Sequence, residues 1–376
     1  MQTNSKASLA KALPFWISLL FLPVVWWVCQ TGGLAILSLP AGAMALFVLI
    51  DAIAGATQES LDLETDEADL FWYRLITLIW APLQFLMTFG ALGLVVSSDT
   101  LSTFEKWGIF VGVGFVAGAI GIVYAHELMH QKPKIERLMG DVLMCMVLYG
   151  HFRTEHLLVH HRYVGTPRDA VTARYNENFY RFFLRVLPGS LFSAFQAERE
   201  KLVRAGLPWW SSRNPFWTYW TFQTAFLILA ALIGGWMGLW LFATQAFVAV
   251  FYLELINYVE HYGLTRKHLG DGKYEHVKPR HSWNSDYKVS NWLLINLQRH
   301  SDHHYKPDRR FPLLQTYGPQ DAPQLPSGYP LIAAIALVPP AWRRLMNPRV
   351  RKWRAMYYPE ITDWAPYKAA SNPMPR

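Results

Sequence analysis

The feature that most constrains this sequence is a set of long apolar stretches with almost no charged residues. Residues 14–33 and 35–50 carry no charge, and four later stretches contain only Arg74 and Glu254. A helix needs about 20 apolar residues to cross about 30 Å of hydrocarbon. The pattern therefore predicts an all-α integral membrane protein with six transmembrane helices, at residues 14–33, 35–50, 71–96, 107–124, 216–233 and 236–258.

The composition supports a single membrane domain. Only 16% of the 376 residues are charged and 52% are hydrophobic, whereas soluble domains are about 25% charged. No low-complexity linker divides the chain, so residues 1–376 are expected to form one domain, with segments 126–215 and 259–376 as a cytoplasmic cap over the bundle. Two cysteines are too few for a disulfide framework or a cysteine-held iron–sulfur site. Any metal must then be held by histidine or carboxylate.

The basic residues indicate the orientation of the chain. With the N-terminus in the cytoplasm, Lys106 is the one Lys or Arg in the predicted outside loops, as the positive-inside rule requires. No convincing signal-peptide cleavage site follows the N-terminal lysines. The prediction is a multi-pass protein of the inner (cytoplasmic) membrane with both termini cytoplasmic. Topology and attraction to anionic lipid explain the net charge of +8, so nucleic acid is not an expected partner.

The histidines are clustered. All 13 lie between residues 126 and 304, and nine fall in four clusters at the predicted cytoplasmic side: His126 and His130; His156, His160 and His161; His261; and His300, His303 and His304. Residues four apart share a helix face, which predicts that each such pair can bind one metal or two neighbouring metals. His161 and His303 point about 100° round the helix and are expected to reach a second ion. Nine nitrogens suit two ions, but imidazole alone does not distinguish iron, copper, zinc and nickel.

Acidic residues accompany these clusters. Glu127, Glu155, Glu260 and Asp302 are each next to a candidate ligand in sequence. Neighbours on a helix face different ways, so these acids are expected to orient ligands of other clusters by accepting their second ring N–H. His281 is the remaining histidine expected nearest the site. Asp169 is expected to brace the loop after the second cluster.

Longer motifs around the histidines carry a family resemblance. Residues 126–131, 155–169, 257–264 (NYVEHYGL) and 297–310 (LQRHSDHHYKPDRR) resemble the membrane-bound alkane hydroxylases (alkane 1-monooxygenases), part of the histidine-rich desaturase and hydroxylase group. The resemblance covers nearly the whole chain. It implies six membrane helices, O₂-dependent hydroxylation of a terminal methyl group of a hydrophobic alkane, and electrons from rubredoxin through rubredoxin reductase. It also implies a non-haem di-iron centre whose ligands, by position, are His126, His130, His156, His160, His161, His261, His300, His303 and His304.

Two positions depart from that family, and other functions stay open. Met129 and Val159 stand where the alkane enzymes usually have glycine, which leaves methyl hydroxylation of alkyl-aromatics, as in xylene monooxygenase-like enzymes, as the alternative. A desaturase is less favoured because of the ninth histidine, His261. The segment 126–130 also matches the H-E-x-x-H pattern of a zinc protease, with Glu127 as base, but six further histidines would be unexplained. A metal transporter predicts polar residues at mid-bilayer depth, and the stretches hold little besides Glu254.

Overall fold

The computed structural model describes residues 9–367, which are mostly helical. Helical turns at Leu13–Leu20 lead into the first regular helix, and π turns at Ala117–Gly121 and His156–His160 interrupt later ones. The helices, in chain order, are α1 Phe21–Thr31, α2 Ala41–Ala54, α3 Phe71–Ser97, α4 Thr103–Val116, α5 Ile122–His130, α6 Lys134–Met146, α7 Phe152–Glu155, α8 His161–Tyr163, α9 Phe179–Arg204, α10 Phe216–His261, α11 Lys288–Leu293, α12 His300–Tyr305, α13 Tyr329–Ala336 and α14 Pro339–Tyr357.

Four helical segments within residues 9–367 are long and apolar enough to cross a membrane. They are Leu9–Thr31, Glu67–Ser97, Thr103–His130 and Phe216–His261. The sequence predicted six, and the difference arises at two places. The predicted span 35–50 corresponds to α2, whose 14 residues rise about 21 Å and so fall short of about 30 Å of hydrocarbon. The predicted spans 216–233 and 236–258 both lie in the 46-residue α10.

The long helix α10 changes direction at two glycines. Gly234 (φ −136°, ψ 15°) and Gly235 (φ 55°, ψ −141°) are not helical. Three residues later, the backbone of Gly238 lies so close to the carbonyl oxygen of Ala230 that a Cβ would collide with it. In a continuous helix, residues eight apart are separated by about 12 Å. The chain therefore reverses at Gly234–Gly235, where the sequence predicted a turn, and α10 consists of two arms, 216–233 and 236–261.

Close packing of glycines joins α4 and the π turn that follows it to the second arm of α10. A Cβ at Gly114 would lie 2.6 Å from the carbonyl oxygen of Gln245, and one at Gly118 would lie 2.9 Å from the Cα of Ala249. Small residues allow helices within a membrane to approach this closely. The contact fixes the end of α5, which carries His126 and His130, relative to the end of α10, which carries His261.

The all-α prediction missed one small element. Strands β1 (His268–Gly270) and β2 (Lys273–Tyr274) form an antiparallel hairpin. Its turn contains Asp271 and Gly272, both with positive φ, and Asp-Gly is a favoured pair for such turns. The strands have only three and two residues, so the alternating pattern of a strand is too short to detect in the sequence.

Candidate metal centre

The nine clustered histidines come together in two buried groups. The ring nitrogens within each group lie within 4.8 Å of one another. The larger group contains His126, His130, His156, His161 and His303, and the smaller contains His160, His261, His300 and His304. All nine candidate ligands predicted from the sequence therefore lie close together. They are contributed by α5, the segment around His156–His160, α10 and α12.

The π turn decides how the second cluster is divided. The N–H of His161 donates to the carbonyl of His156, five residues earlier, so these two side chains share a face. Their Nε2 atoms are 3.0 Å apart, whereas His160 belongs to the other group. The sequence predicted that His156 and His160 share a helix face and bind one metal or two neighbouring metals. The structure places them in different groups, because the π turn replaces the α-helical repeat of 3.6 residues here.

The other clusters follow the α-helical spacing. His126 and His130 lie in the same group. On α12, Nε2 of His304 is 3.0 Å from Nε2 of His300. Nε2 of His303 is instead 3.1 Å from Nε2 of His161 in the larger group. One short helix thus contributes to both groups, as predicted for adjacent residues.

The geometry of these nitrogens suits a shared cation. Nε2 atoms of His130, His156 and His161 form a triangle with sides of 3.0, 3.0 and 3.3 Å. Nitrogens bound at right angles about 2.1 Å from one ion are about 3.0 Å apart. Burial, and then the neighbouring imidazoles, lower the pKa of His156 and His161 well below the ordinary value. Neutral imidazole is the form that binds metal, so the donor set fits a transition-metal site.

The carboxylate of Asp169 orients the ring of His160. Its Oδ2 accepts from Nδ1 of His160 at 2.9 Å and from Oγ1 of Thr172 at 2.6 Å. Its Oδ1 accepts from the amide of Val171 at 2.9 Å. Nε2 of His160 is left facing the smaller group. The sequence assigned Asp169 only to the loop, since nothing but its proximity to the cluster indicates that the loop folds back onto His160.

Glu260 lies on the inner side of the smaller group. Its Oε2 is 3.3 Å from Nε2 of His300, the nitrogen that also faces His261 and His304. Its Oε1 accepts from the hydroxyl of Tyr329 at 2.8 Å. The predicted role, accepting the second ring N–H of a ligand, is therefore wrong for Glu260, because its carboxylate shares the side on which the ring nitrogens converge.

Glu127 and Asp302 do not contact the histidines that they were expected to orient. Glu127 accepts from Nε2 of Gln131 at 2.9 Å and from the amide of Phe311 at 3.2 Å. Asp302 accepts from the Tyr317 hydroxyl at 2.7 Å and forms an ion pair with Arg309. Both acids fasten the segment after α12. With both oxygens engaged, Glu127 is also poorly placed to act as the base of a protease.

Glu155 and His281 have different surroundings from those predicted. Glu155 is fully buried, and neither of its oxygens has a hydrogen-bond partner. Nδ1 of His281 accepts from the amide of Lys278 at 2.9 Å, and its Nε2 lies 2.8 Å from the Tyr358 hydroxyl. The His281 side chain is thus held outside both groups.

An apolar cavity reaches the histidine groups. His126, His156, His300 and Glu260 line it beside apolar side chains of α2, α4, α5, α10 and α13, among them Met44, Phe47, Phe115, Ile122, Tyr252 and Leu253. A cavity with an apolar wall and a few polar groups at one place is typical of a small-molecule site. The two histidine groups and an apolar ligand would meet at its polar end.

The chain is similar to a known protein family and to several curated proteins. The family model for fatty acid desaturases matches residues 105–336. The chain is 38% identical to alkane 1-monooxygenase 2 of Pseudomonas aeruginosa over 85% of both chains, and 36% identical to alkane 1-monooxygenase 1 of that organism over 92% of both. It is 29% identical to the xylene/toluene monooxygenase hydroxylase component XylM of Pseudomonas putida, over 77% of this chain and 76% of that one.

Proposed function

We propose that this chain, which belongs to the alkane 1-monooxygenase family and carries a fatty acid desaturase-like domain, hydroxylates the terminal methyl group of alkanes to primary alcohols with O₂. It is a membrane protein and an oxidoreductase of the monooxygenase class. The observation that carries the proposal is the junction of the two buried histidine groups with an apolar cavity. Such a cavity accepts a substrate that lacks polar groups and places it against the metal-binding side chains.

The proposed cofactor is a pair of non-haem irons. The larger group would hold one ion and the smaller group the other, and all nine histidines would serve as ligands. Iron bound there supplies the redox chemistry that activates O₂ for insertion into an unactivated C–H bond. The protein's own part is to keep the imidazoles neutral by burial, to fix the ring of His160 through Asp169, and to surround the reacting methyl group with apolar side chains that exclude water.

The proposed partners and placement follow the family and the charge distribution. Electrons would come from rubredoxin and its reductase. The chain would lie in the inner membrane with both termini in the cytoplasm and six spans. The helical turns Gly33–Ser38 together with α2 would form one of them, and each arm of α10 would form another. The two histidine-bearing ends, at His130 of α5 and His261 of α10, would then lie on the cytoplasmic side, where a soluble donor has access.

Alkyl-aromatic methyl groups are the alternative substrates. Support for them comes from the XylM relative and from Met129 and Val159 at positions of family glycines. Both side chains are buried, at 1% and 5% exposure, but neither lines the apolar cavity described above. The alkane relatives are also more similar to this chain than XylM is. These points favour alkanes.

Product analysis tests the proposed function. Membranes from an expression host, supplemented with rubredoxin, its reductase and NADH, would receive octane, hexadecane and p-xylene together. Gas chromatography with mass spectrometry is expected to detect terminal alkanols that contain ¹⁸O when ¹⁸O₂ is supplied. Benzylic alcohol as the sole product would support the alkyl-aromatic alternative. Alkenes without alcohols would support a desaturase and contradict the proposal.

A substitution in the cavity wall is expected to change the size preference. Ala119 lines the cavity seven residues before His126, a rise of about 10 Å along the helix. Ala119→Phe would shorten the space beyond the metal-binding end, so the ratio of hexadecane to octane oxidation is expected to fall about tenfold, a usual size of steric discrimination in apolar pockets. The competing-substrate assay above measures this ratio.

The control for this substitution is Val111→Phe. Val111 is on the same apolar segment but is exposed and does not line the cavity. The product ratio of this variant is expected to equal that of the wild type. If Ala119→Phe leaves the ratio unchanged, or if both variants shift it equally, the cavity is not the alkane site.

A further inference from the structure

Glu155 is a buried acid without any compensating group. It ends α7, directly before His156, and its exposed fraction is 0%. Neither oxygen accepts a hydrogen bond. Asp169 and Glu254, which oppose a negative charge on Glu155, are also acids. A carboxylate removed from water requires a cation or several hydrogen-bond donors, and the described residues provide neither.

Three more acids near the histidines share this lack of a basic partner. Glu254 is 1% exposed and accepts from the Tyr149 hydroxyl at 2.9 Å and from Nδ2 of Asn257 at 3.1 Å. Asp169 contacts His160, and Glu260 contacts His300. Within residues 9–367, no lysine or arginine forms an ion pair with any of these acids or with Glu155.

Most other buried acids have a clear partner. Four of them are paired with a basic side chain within 4.0 Å: Glu136 with Arg74 and Arg310, Asp141 with Arg153, Glu198 with Lys201, and Asp302 with Arg309. Asp51 and Glu127 instead accept hydrogen bonds from backbone amides. Among the described residues, Glu155 is thus the buried acid whose two oxygens both lack a hydrogen-bond partner, and it directly precedes His156 of the larger histidine group.

We infer that four carboxylates form an anionic shell that neutralises the charge of the two metal ions: Glu155, Glu254, Asp169 and Glu260. The negative charges of Glu155 and Glu254 help to retain the ions in the site. The inference rests on the proposed function. Imidazoles contribute no charge, so two divalent ions held by histidine alone would leave four positive charges in a buried site. The four carboxylates balance them. Coulomb interactions are stronger in such surroundings than in water, so the shell raises metal affinity and stabilises the oxidised ions.

Metal retention in matched variants tests this role. Full-length protein in detergent would be loaded with Fe²⁺ without oxygen, and iron content and its loss to a competing chelator would be measured. Glu155→Gln and Glu254→Gln keep the size of the side chain but remove the charge. Each is expected to lose iron at least about tenfold faster than the wild type, because a unit charge in a buried site acts strongly on a divalent ion. The iron reduction potential is expected to rise.

Two further variants separate charge from structure. Glu198→Gln changes a side chain of similar burial, 3% exposed, that has Lys201 as its partner, so iron retention is expected to match the wild type. Glu155→Asp keeps the charge and is expected to retain iron much better than Glu155→Gln. Circular dichroism would verify that each variant is folded. If Glu155→Gln fails to fold, Glu254→Gln alone carries the test.

The possible results also distinguish this inference from the proposed function. A wild-type protein that binds two irons, together with unchanged iron retention and potential in the Gln variants, would overturn the anionic shell alone. Equal iron loss in Glu155→Gln and Glu155→Asp would assign a packing role to Glu155 and likewise overturn it. A wild-type protein that binds no iron would overturn both proposals.

Discussion

Replacing His261 by alanine is expected to abolish alkane hydroxylation and to remove iron from the smaller histidine group. His261 is 1% exposed, and its Nε2 lies 3.1 Å from Nε2 of His300. It supplies one of only four histidine nitrogens in that group, so its loss leaves a quarter of the ligand set missing. Product formation and the iron content of the purified variant measure the effect. Because His261 ends α10, insertion into the membrane is expected to be unchanged.

His281→Ala is the matched control for this variant. His281 is equally buried, at 1% exposure, but its side chain contacts Tyr358 and Lys278. The variant is expected to bind two irons and to retain most of the activity. Hydroxylation by the His261 variant would remove His261 from the ligand set, and complete iron loss from the His281 variant would give His281 a role that its contacts do not predict.

Replacing Asp169 by asparagine is expected to lower activity or metal affinity by about 10- to 100-fold, the usual cost of losing a carboxylate behind a histidine ligand. Oδ2 of Asp169 accepts from His160 and from Thr172, and Oδ1 accepts from the amide of Val171. An asparagine has only one acceptor oxygen. Its NH₂ group must therefore face either the donors on His160 and Thr172 or the amide of Val171, which is also a donor. The ring of His160 then loses its fixed orientation. Titration with Fe²⁺ and steady-state kinetics with octane measure the two effects.

Asp302→Asn distinguishes the orientation of a histidine from a general loss of packing. Asp302 is adjacent to His303 in sequence, but its carboxylate binds Arg309 and Tyr317. The variant is expected to bind iron like the wild type and to unfold at a lower temperature, because a buried arginine pair is broken. If both Asn variants lose iron to the same extent, the hydrogen bond between Asp169 and His160 is not what sustains the site.

The sequence predicted the site best where residue type and residue spacing indicated the same arrangement. Nine histidines in four short clusters predicted a place where many imidazoles meet, and all nine lie in two groups in the structure. Their role as metal ligands stays a prediction. The pairs His126 with His130 and His300 with His304 followed from the helical repeat alone, since both pairs lie on α-helices.

The carboxylates were predicted less well, because their roles depend on long-range contacts. Adjacency in sequence suggested Glu127 and Asp302, but Phe311 and Arg309, contributed by the segment after α12, engage them instead. Asp169 reaches His160 because a loop folds back across nine residues. No local sequence pattern indicates that a loop folds back in this way. Adjacency in sequence therefore did not predict which acid contacts which imidazole.

The sequence by itself determined the membrane character, the family and the set of nine histidines, because apolar length and ligand type are properties of the residues. Only the tertiary structure decided how the histidines are divided. One π turn, closed by the bond from His161 to the carbonyl of His156, moves His160 to the smaller group. The local hydropathy is the same for an α turn and a π turn, so the choice between them depends on packing against the rest of the chain.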